Sequence, residues 1–211
     1  MGLPFAPEAR WVLIGDSITD CGRRECAEKI GGGYVRMVRD YLRASRPGVA
    51  PEIINQGISG NKVTDLQARW DTDVLAHQPA LVSIKIGIND VWHGLADPLK
   101  GTSVEQFAEG YEDILQRLKV AFPDVHIVLC EPSVIWPPSP EEGNDALQPY
   151  IAIVRDMAQR FKATSLVPLH AAFENARRER PDIVWAPDGV HPSSSGHMLI
   201  AREWLASLGL L

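Results

Sequence analysis

Three side chains that can cooperate in nucleophilic catalysis occur at widely separated places in the sequence. Ser17 follows the apolar run Trp11–Ile14, where a buried strand is predicted to end, and Asp188 and His191 lie three positions apart near the C-terminus. A serine hydroxyl is a poor nucleophile until a base takes its proton, and a histidine oriented by a carboxylate is well suited to that task. These residues predict a triad with Ser17 as nucleophile, His191 as base and Asp188 as its orienting partner.

A nucleophilic serine also needs hydrogen-bond donors where negative charge develops on the substrate oxygen. Gly60 and Asn89 each follow a further strand-like segment, in glycine-containing turns. If the three strands are neighbours in one parallel sheet, the N–H groups of Ser17 and Gly60 and the side-chain amide of Asn89 share one edge of it. They would then form an oxyanion hole.

Each of these residues also has a purely structural interpretation. Serine and asparagine are frequent helix N-caps, glycine suits tight turns, and aspartate and histidine are common turn residues. The interpretation as a site is favoured because four separate segments converge at one edge of the predicted sheet.

The elements that would position these residues alternate between apolar runs and amphipathic segments. The apolar runs predict strands at Trp11–Ile14, Glu52–Asn55, Leu81–Ile86, Val125–Leu129 and Ser165–Pro168. The amphipathic segments predict helices at Tyr34–Ala44, Val63–His77, after the capping box of Ser103 and Gln106, across Leu147–Phe161, from about Ala171, and at Ser194–Leu208. Strict alternation predicts an α/β fold, a three-layer α/β/α sandwich around a flavodoxin-like, five-stranded parallel sheet of order 2-1-3-4-5.

Some segments do not fit regular elements. The stretches Cys21–Gly33, Val91–Thr102 and Pro132–Pro149 are predicted to be irregular connections. Lys85 lies inside the predicted central strand, where an ammonium without a partner is costly to bury. It should therefore find a carboxylate or reach an end of the sheet, and the sequence does not name that partner.

Composition narrows the class of protein. The chain has 211 residues, 45% of them hydrophobic and 23% charged, as expected for one globular domain spanning 1–211. A net charge of −6 disfavours nucleic-acid binding and gives no reason for attraction to anionic membranes. The segment Met1–Arg10 lacks a leader pattern, no apolar run reaches membrane-spanning length, and the histidines lack metal-ligand spacing. We expect a cytoplasmic protein without a catalytic metal, whose three cysteines, Cys21, Cys26 and Cys130, are reduced.

Four short blocks carry a resemblance to a known family. They are Gly15-Asp16-Ser17, Gly60 within Asn55–Asn61, Gly87-Ile88-Asn89-Asp90, and Asp188-Gly189-Val190-His191-Pro192. In this order they resemble the signature blocks of the SGNH hydrolases, also called GDSL esterases. The resemblance implies the same roles for Ser17, His191, Asp188, Gly60 and Asn89, and a serine esterase that needs no cofactor.

Residues that flank the blocks are similar to those of the intracellular acetylxylan esterase branch. The segments are Gly15 to Arg23, Gly57 to Asn61, Asp65-Leu66 with Arg69-Trp70, and Gly87 to Trp92. This resemblance implies removal of acetyl groups from xylo-oligosaccharides, and a homo-oligomer.

Three tryptophans, Trp92, Trp136 and Trp185, fall in loops at the predicted catalytic edge. Their faces suit stacking on a sugar, although packing is the more common use of tryptophan. A thioesterase or lysophospholipase is the alternative with the same chemistry, and it would need an apolar acyl channel, which the segment 132–149 would have to supply. A non-catalytic, flavodoxin-like module that binds a nucleotide or flavin is disfavoured because the carboxylate of Asp16 would repel phosphate.

Overall fold

The computed structural model describes residues 2–140 and 142–211, and within them five strands form one parallel sheet. The strands are β1 (Arg10–Gly15), β2 (Glu52–Gly57), β3 (Leu81–Lys85), β4 (His126–Cys130) and β5 (Ser165–Val167). Their order is β2-β1-β3-β4-β5, and all neighbours are parallel. The predicted fold class and strand order are confirmed.

Helices cover both faces of the sheet. They are α1 (Ser17–Asp20), α2 (Tyr34–Ser45), α3 (Val63–Asp73), α4 (Ile88–Ala96), α5 (Val104–Ala121), α6 (Gly143–Arg160), α7 (Leu169–Glu179) and α8 (Ser194–Ser207). In one layer, α8 packs against α2 and α7. In the other layer, α5 packs against α3 and α6. Every residue of β3 is therefore buried, including the polar Ser83 and the charged Lys85.

Two predicted connections contain helices. Helix α4 occupies much of Val91–Thr102 and begins at Ile88, directly after Gly87, whose φ of +121° favours glycine. Helix α6 begins at Gly143, inside the segment predicted as irregular because of its prolines, and it retains Pro149 on its exposed side. Its buried residues Leu147 and Ile151 supply the packing that offsets the loss of a backbone hydrogen bond at proline.

The predicted helix Val63–His77 is shorter than expected. Helix α3 ends at Asp73, and a separate 3₁₀ turn covers Leu75–His77. Both pieces lie in the chain between β2 and β3, so the position of the predicted active site is unaffected.

Candidate active site

Ser17, His191 and Asp188 form a continuous chain of hydrogen bonds. Ser17 is the first residue of α1, directly after β1, and its Oγ lies 2.9 Å from Nε2 of His191. The other ring nitrogen, Nδ1, lies 2.6 Å from Oδ2 of Asp188. With the proton on Nδ1, Nε2 is free to accept the serine hydroxyl, which is the arrangement that activates a serine.

The second carboxylate oxygen of Asp188 is held by the backbone of its own loop. Oδ1 accepts the N–H of Val190 at 2.9 Å and the N–H of His191 at 2.7 Å. Partial burial alone would raise the pKa of Asp188, but the hydrogen bonds from the His191 ring and from these two N–H groups outweigh it and hold the pKa below its usual 3.8. Asp188 is therefore ionised at neutral pH, as an orienting carboxylate must be.

Helix α1 is capped by Asp16 and not by Ser17. Oδ1 of Asp16 accepts the N–H of Ile18 at 2.9 Å, and Asp16 is completely buried. The capping alternative considered for Ser17 is thus wrong, because the preceding residue takes that role. The Ser17 hydroxyl is left to face His191.

The buried Lys85 lies beneath this turn. It pairs in register with Gly15 of β1, has no exposed surface, and its Nζ has no hydrogen-bond partner among the described residues. Burial lowers the pKa of Lys85, and the Asp16 carboxylate is the main influence that opposes this shift. In turn, burial raises the pKa of Asp16, and the charge of Lys85 limits that rise. Among the described residues no carboxylate lies within ion-pair distance of Lys85 Nζ, and Oδ2 of Asp16 is likewise buried without a hydrogen-bond partner. Asp16 is thus the carboxylate whose charge acts most strongly on Lys85, without a direct ion pair.

The proposed oxyanion donors follow three neighbouring strands. Gly60 lies in the turn after β2 with φ +82°, and a Cβ added there would contact nothing within 4 Å, so its backbone faces open space. Asn89 lies in the first turn of α4, after β3, and its Nδ2 donates to the carbonyl of Asn61 at 3.0 Å. Among the described residues, the N–H groups of Ser17 and Gly60 donate no hydrogen bond, which leaves both available to a ligand. The sequence motifs do not predict a role for Asn61, which accepts the hydrogen bond of Asn89 and adjoins Gly60.

Of the three tryptophans, only Trp92 contacts a residue of the candidate triad. Its half-buried ring meets the His191 ring edge-on, with centroids 5.8 Å apart and an interplanar angle of 79°. Trp185 instead lines a groove between α7 and α8 of about 350 Å³, and its Nε1 donates to the carbonyl of Arg180. The position predicted for Trp185 at the catalytic edge is therefore not found.

Trp136 supports the catalytic loop from inside. It is 7% exposed, its Nε1 donates to Glu174 at 2.8 Å, and the guanidinium of Arg177 lies 4.9 Å from its ring centroid. Its backbone N–H donates to the carbonyl of Gly189, between Asp188 and His191. The expectation that Trp136 stacks on substrate is corrected, because its ring is packed in the core.

Three observations concern metal binding, membrane insertion and the cysteines. Within residues 2–140 and 142–211, no group of three or more His, Cys, Asp or Glu side chains is arranged to hold a metal ion. No helix in the same part of the chain has the length and apolar character needed to cross a membrane. Cys21, Cys26 and Cys130 are free thiols, and burial raises the pKa of Cys130 to about 12, so it is protonated at neutral pH.

A parallel α/β sheet with a serine after β1 and an aspartate–histidine pair before the last helix defines an acyl hydrolase. Residues 13–199 match the GDSL-like lipase/acylhydrolase family, and the chain belongs to that family. It is a carboxylic ester hydrolase, as the sequence motifs predicted.

Its relatives include acetylxylan esterases. The chain is 36% identical over 206 residues to an acetylxylan esterase from Geobacillus stearothermophilus, covering 94% of this chain and 93% of the relative. A crystal structure of that species' acetylxylan esterase superposes with a TM-score of 0.86 at 34% identity, over 98% and 96% of the two chains. A putative GDSL-like lipase from Parabacteroides merdae gives 0.91 at 34% identity, over 100% of both chains.

Solved catalytic mutants of the Geobacillus enzyme replace a serine, an aspartate and a histidine. The replaced aspartate and histidine are three positions apart, as Asp188 and His191 are here.

Proposed function

We propose that this protein is a serine esterase that removes short acyl groups, acetyl in particular, from a carbohydrate such as a xylo-oligosaccharide. The observation that carries the proposal is the hydrogen-bonded chain from Ser17 Oγ through His191 to Asp188, at 2.9 and 2.6 Å. The similarity to an acetylxylan esterase supports the choice of acyl group and alcohol.

In the proposed reaction, Ser17 Oγ attacks the ester carbonyl carbon while His191 Nε2 takes the hydroxyl proton. The tetrahedral intermediate collapses as the bond to the sugar oxygen breaks, and His191 returns the proton to that oxygen. Water then attacks the acyl-serine in the same way, and the carboxylic acid leaves. Asp188 stays ionised throughout and stabilises the imidazolium that forms twice in each cycle.

The carbonyl oxygen becomes an oxyanion in both steps. We assign the N–H groups of Ser17 and Gly60 and the Nδ2 of Asn89 as its donors. Loss of one such donor typically costs about 10² to 10³ in kcat. Asn89→Ala should therefore lower kcat by this amount while the substrate still binds.

The surroundings of the triad favour a short acyl group on a bulky alcohol. The segment 132–149, which a thioesterase or lysophospholipase would need for an acyl channel, packs Val134, Ile135 and Trp136 into the core. The side chains of His191 and Asp188 are 42% and 51% exposed, so this part of the triad is open to solvent and leaves room for a bulky alcohol. Trp92, beside His191, is the tryptophan we assign to substrate binding.

The acyl preference is tested by comparing p-nitrophenyl acetate with p-nitrophenyl octanoate. We expect higher kcat/KM for acetate, and faster turnover of octanoate would favour the lysophospholipase alternative. Acetate release from acetylated xylosides, choline esters and acyl-thioesters then identifies the alcohol, and a preference for thioesters would contradict a carbohydrate substrate.

The nucleophile is tested with Ser17→Ala, which should abolish hydrolysis and leave the thermal unfolding midpoint nearly unchanged. Asp188→Asn should lower kcat by up to about 10⁴-fold, because an amide no longer holds the imidazole in the required tautomer. A Ser17→Ala variant with full activity would exclude the proposed triad.

The expected homo-oligomer, the extent of the domain and the cytoplasmic location remain predictions. The mass of the protein in solution, measured by light scattering, tests the first of them.

A further inference from the structure

One guanidinium group joins the segments that carry the proposed oxyanion donors. Arg69, in the second turn of α3, has a side chain that is only 13% exposed. Its Nε donates to Oδ1 of Asn61 at 2.8 Å, and its Nη1 donates to the carbonyl of Gln56 at 2.9 Å. Its Nη2 donates to the carbonyl of Gly15 at 3.1 Å, and Nη1 also meets Oδ2 of Asp73 at 2.7 Å. Four of the five guanidinium N–H groups are therefore used.

Three of these acceptors surround the candidate active site. Gly15 ends β1, just before Asp16 and Ser17, and Gln56 lies near the end of β2. Asn61 directly follows Gly60, and its carbonyl accepts the hydrogen bond of Asn89. Through these contacts, Arg69 connects the segments that contribute all three proposed donors.

The turn that carries Gly60 is held on both sides of that residue. The N–H of Ile58 donates to the carbonyl of Gly15 at 3.0 Å, the N–H of Asn61 donates to the carbonyl of Ile58 at 3.2 Å, and Oγ of Ser59 donates to Oδ2 of Asp20 at 3.0 Å. Gly60 adopts φ +82°, no described residue packs against its α-carbon, and glycine restricts its own backbone least. On the C-terminal side of Gly60, the orientation of the turn therefore depends on what holds Asn61.

We propose that Arg69 is a positioning residue that sets the geometry of the oxyanion hole by clamping Asn61 against the ends of β1 and β2. The inference rests on the proposed function, which assigns Gly60 and Asn89 as oxyanion donors. Arg69 does not touch the substrate in this scheme and acts through Asn61. Its carboxylate contact, with Asp73, lies on the same helix and holds the guanidinium in place.

The geometry requires arginine in particular. A lysine at this position would offer one ammonium on a flexible stem, and it could not meet the side chain of Asn61 and two carbonyls in a plane. We therefore expect Arg69→Lys to behave more like Arg69→Gln than like the unchanged protein.

Arg117 provides a matched control. Like Arg69, this arginine of α5 combines a hydrogen bond to a backbone carbonyl, that of Gln67 at 3.2 Å, with carboxylate contacts, to Asp71 and Asp113. Among the described residues it has no hydrogen bond to the turn of residues 58–61. Arg117→Gln thus removes contacts of the same kinds without disturbing the proposed clamp.

The experiment measures kcat, KM and the thermal unfolding midpoint of Arg69→Gln, Arg69→Lys and Arg117→Gln with p-nitrophenyl acetate. For Arg69→Gln we expect kcat to fall about 10- to 100-fold, the scale of small misplacements of catalytic groups, with KM changed by less than about threefold. For Arg117→Gln we expect a similar change in the unfolding midpoint but an almost unchanged kcat. Equal kcat in the two glutamine variants would overturn the inference.

Amide hydrogen exchange of residues 58–61 gives a second measurement that does not depend on catalysis. We expect faster exchange of this turn in Arg69→Gln and no change there in Arg117→Gln. Unchanged exchange in Arg69→Gln would overturn the clamp even if the protein is the proposed esterase. Full activity of Ser17→Ala would instead overturn the proposed function, while the exchange rates still decide whether Arg69 holds the turn.

Discussion

Buried His197 should lower the free energy of unfolding in acid, and replacing it should remove that contribution. This residue of α8 is 8% exposed, and its Nδ1 accepts the N–H of Tyr34 at 3.2 Å. Burial, with the positive charges of Lys85 and His191, lowers the pKa of His197 from 6.5 to about 4. A proton on Nδ1 would oppose the N–H of Tyr34, so the folded protein resists protonation at this site.

The size of the effect follows from the difference between the folded and unfolded pKa values. Below pH 6.5 the unfolded chain binds a proton at His197 that the folded protein does not bind, so the free energy of unfolding falls as the pH falls. For values of 6.5 and 4, the loss between pH 7.5 and pH 4.5 is about 2.5 kcal/mol. This contribution is fully present above pH 6.5 and decreases towards pH 4.

Asp90 acts in the opposite direction. Burial raises its pKa from 3.8 to about 6, while its Oδ1 accepts the N–H of Val63 at the start of α3. The folded protein keeps a proton that the unfolded chain releases, so this contribution to stability is present below pH 3.8 and is lost as the pH rises through 6. Between pH 4.5 and pH 7.5 it amounts to about 2 kcal/mol. In the unchanged protein the two contributions nearly cancel.

The assay is urea unfolding at pH 4.5 and pH 7.5, followed by tryptophan fluorescence and extrapolated to water. His197→Asn keeps an acceptor near the position of Nδ1 but does not titrate. We compare the unfolding free energy at pH 4.5 with that at pH 7.5, and in this variant the value at pH 4.5 should rise by about 2.5 kcal/mol relative to the value at pH 7.5, compared with the unchanged protein. In Asp90→Asn the unfolding free energy at pH 4.5 should instead fall by about 2 kcal/mol relative to that at pH 7.5. If His197→Asn shows the same pH dependence as the unchanged protein, the argument from burial is refuted.

Two further predictions concern the backbone and the buried charges. In Gly189→Ala the new Cβ would lie 1.8 Å from the carbonyl oxygen of Trp136 at φ +85°, so we expect a loss of more than about 2 kcal/mol of unfolding free energy. In Gly60→Ala, where φ is +82° but no atom lies within 4 Å, the loss should be about 1 kcal/mol, and equal losses in urea unfolding would contradict the steric explanation. Lys85→Met removes the charge that limits the rise of the Asp16 pKa, so we expect Asp16→Asn to cost less unfolding free energy in the Lys85→Met background than in the unchanged protein. Additive losses in the double variant would show that the two side chains are not coupled.

Much of this fold is predictable from local patterns. The strand order could be predicted because apolar runs alternate with amphipathic segments and crossover handedness leaves few arrangements. The sequence patterns do not predict helix α4 or the first turn of α6, because a glycine start and nearby prolines are weak helix signals. In both cases tertiary packing decides.

The sequence by itself determined the chemical groups of the site and their approximate place. Ser17 follows a strand, and the hydrogen bond between Asp188 and His191 spans only three positions, so local geometry suffices for it. Only the tertiary structure decided that Lys85 is buried beside β1, that Trp136 supports the loop from the core, and that Arg69 reaches Asn61. Those contacts join side chains from different elements, and their distances depend on how helices and strands pack, which no local spacing encodes.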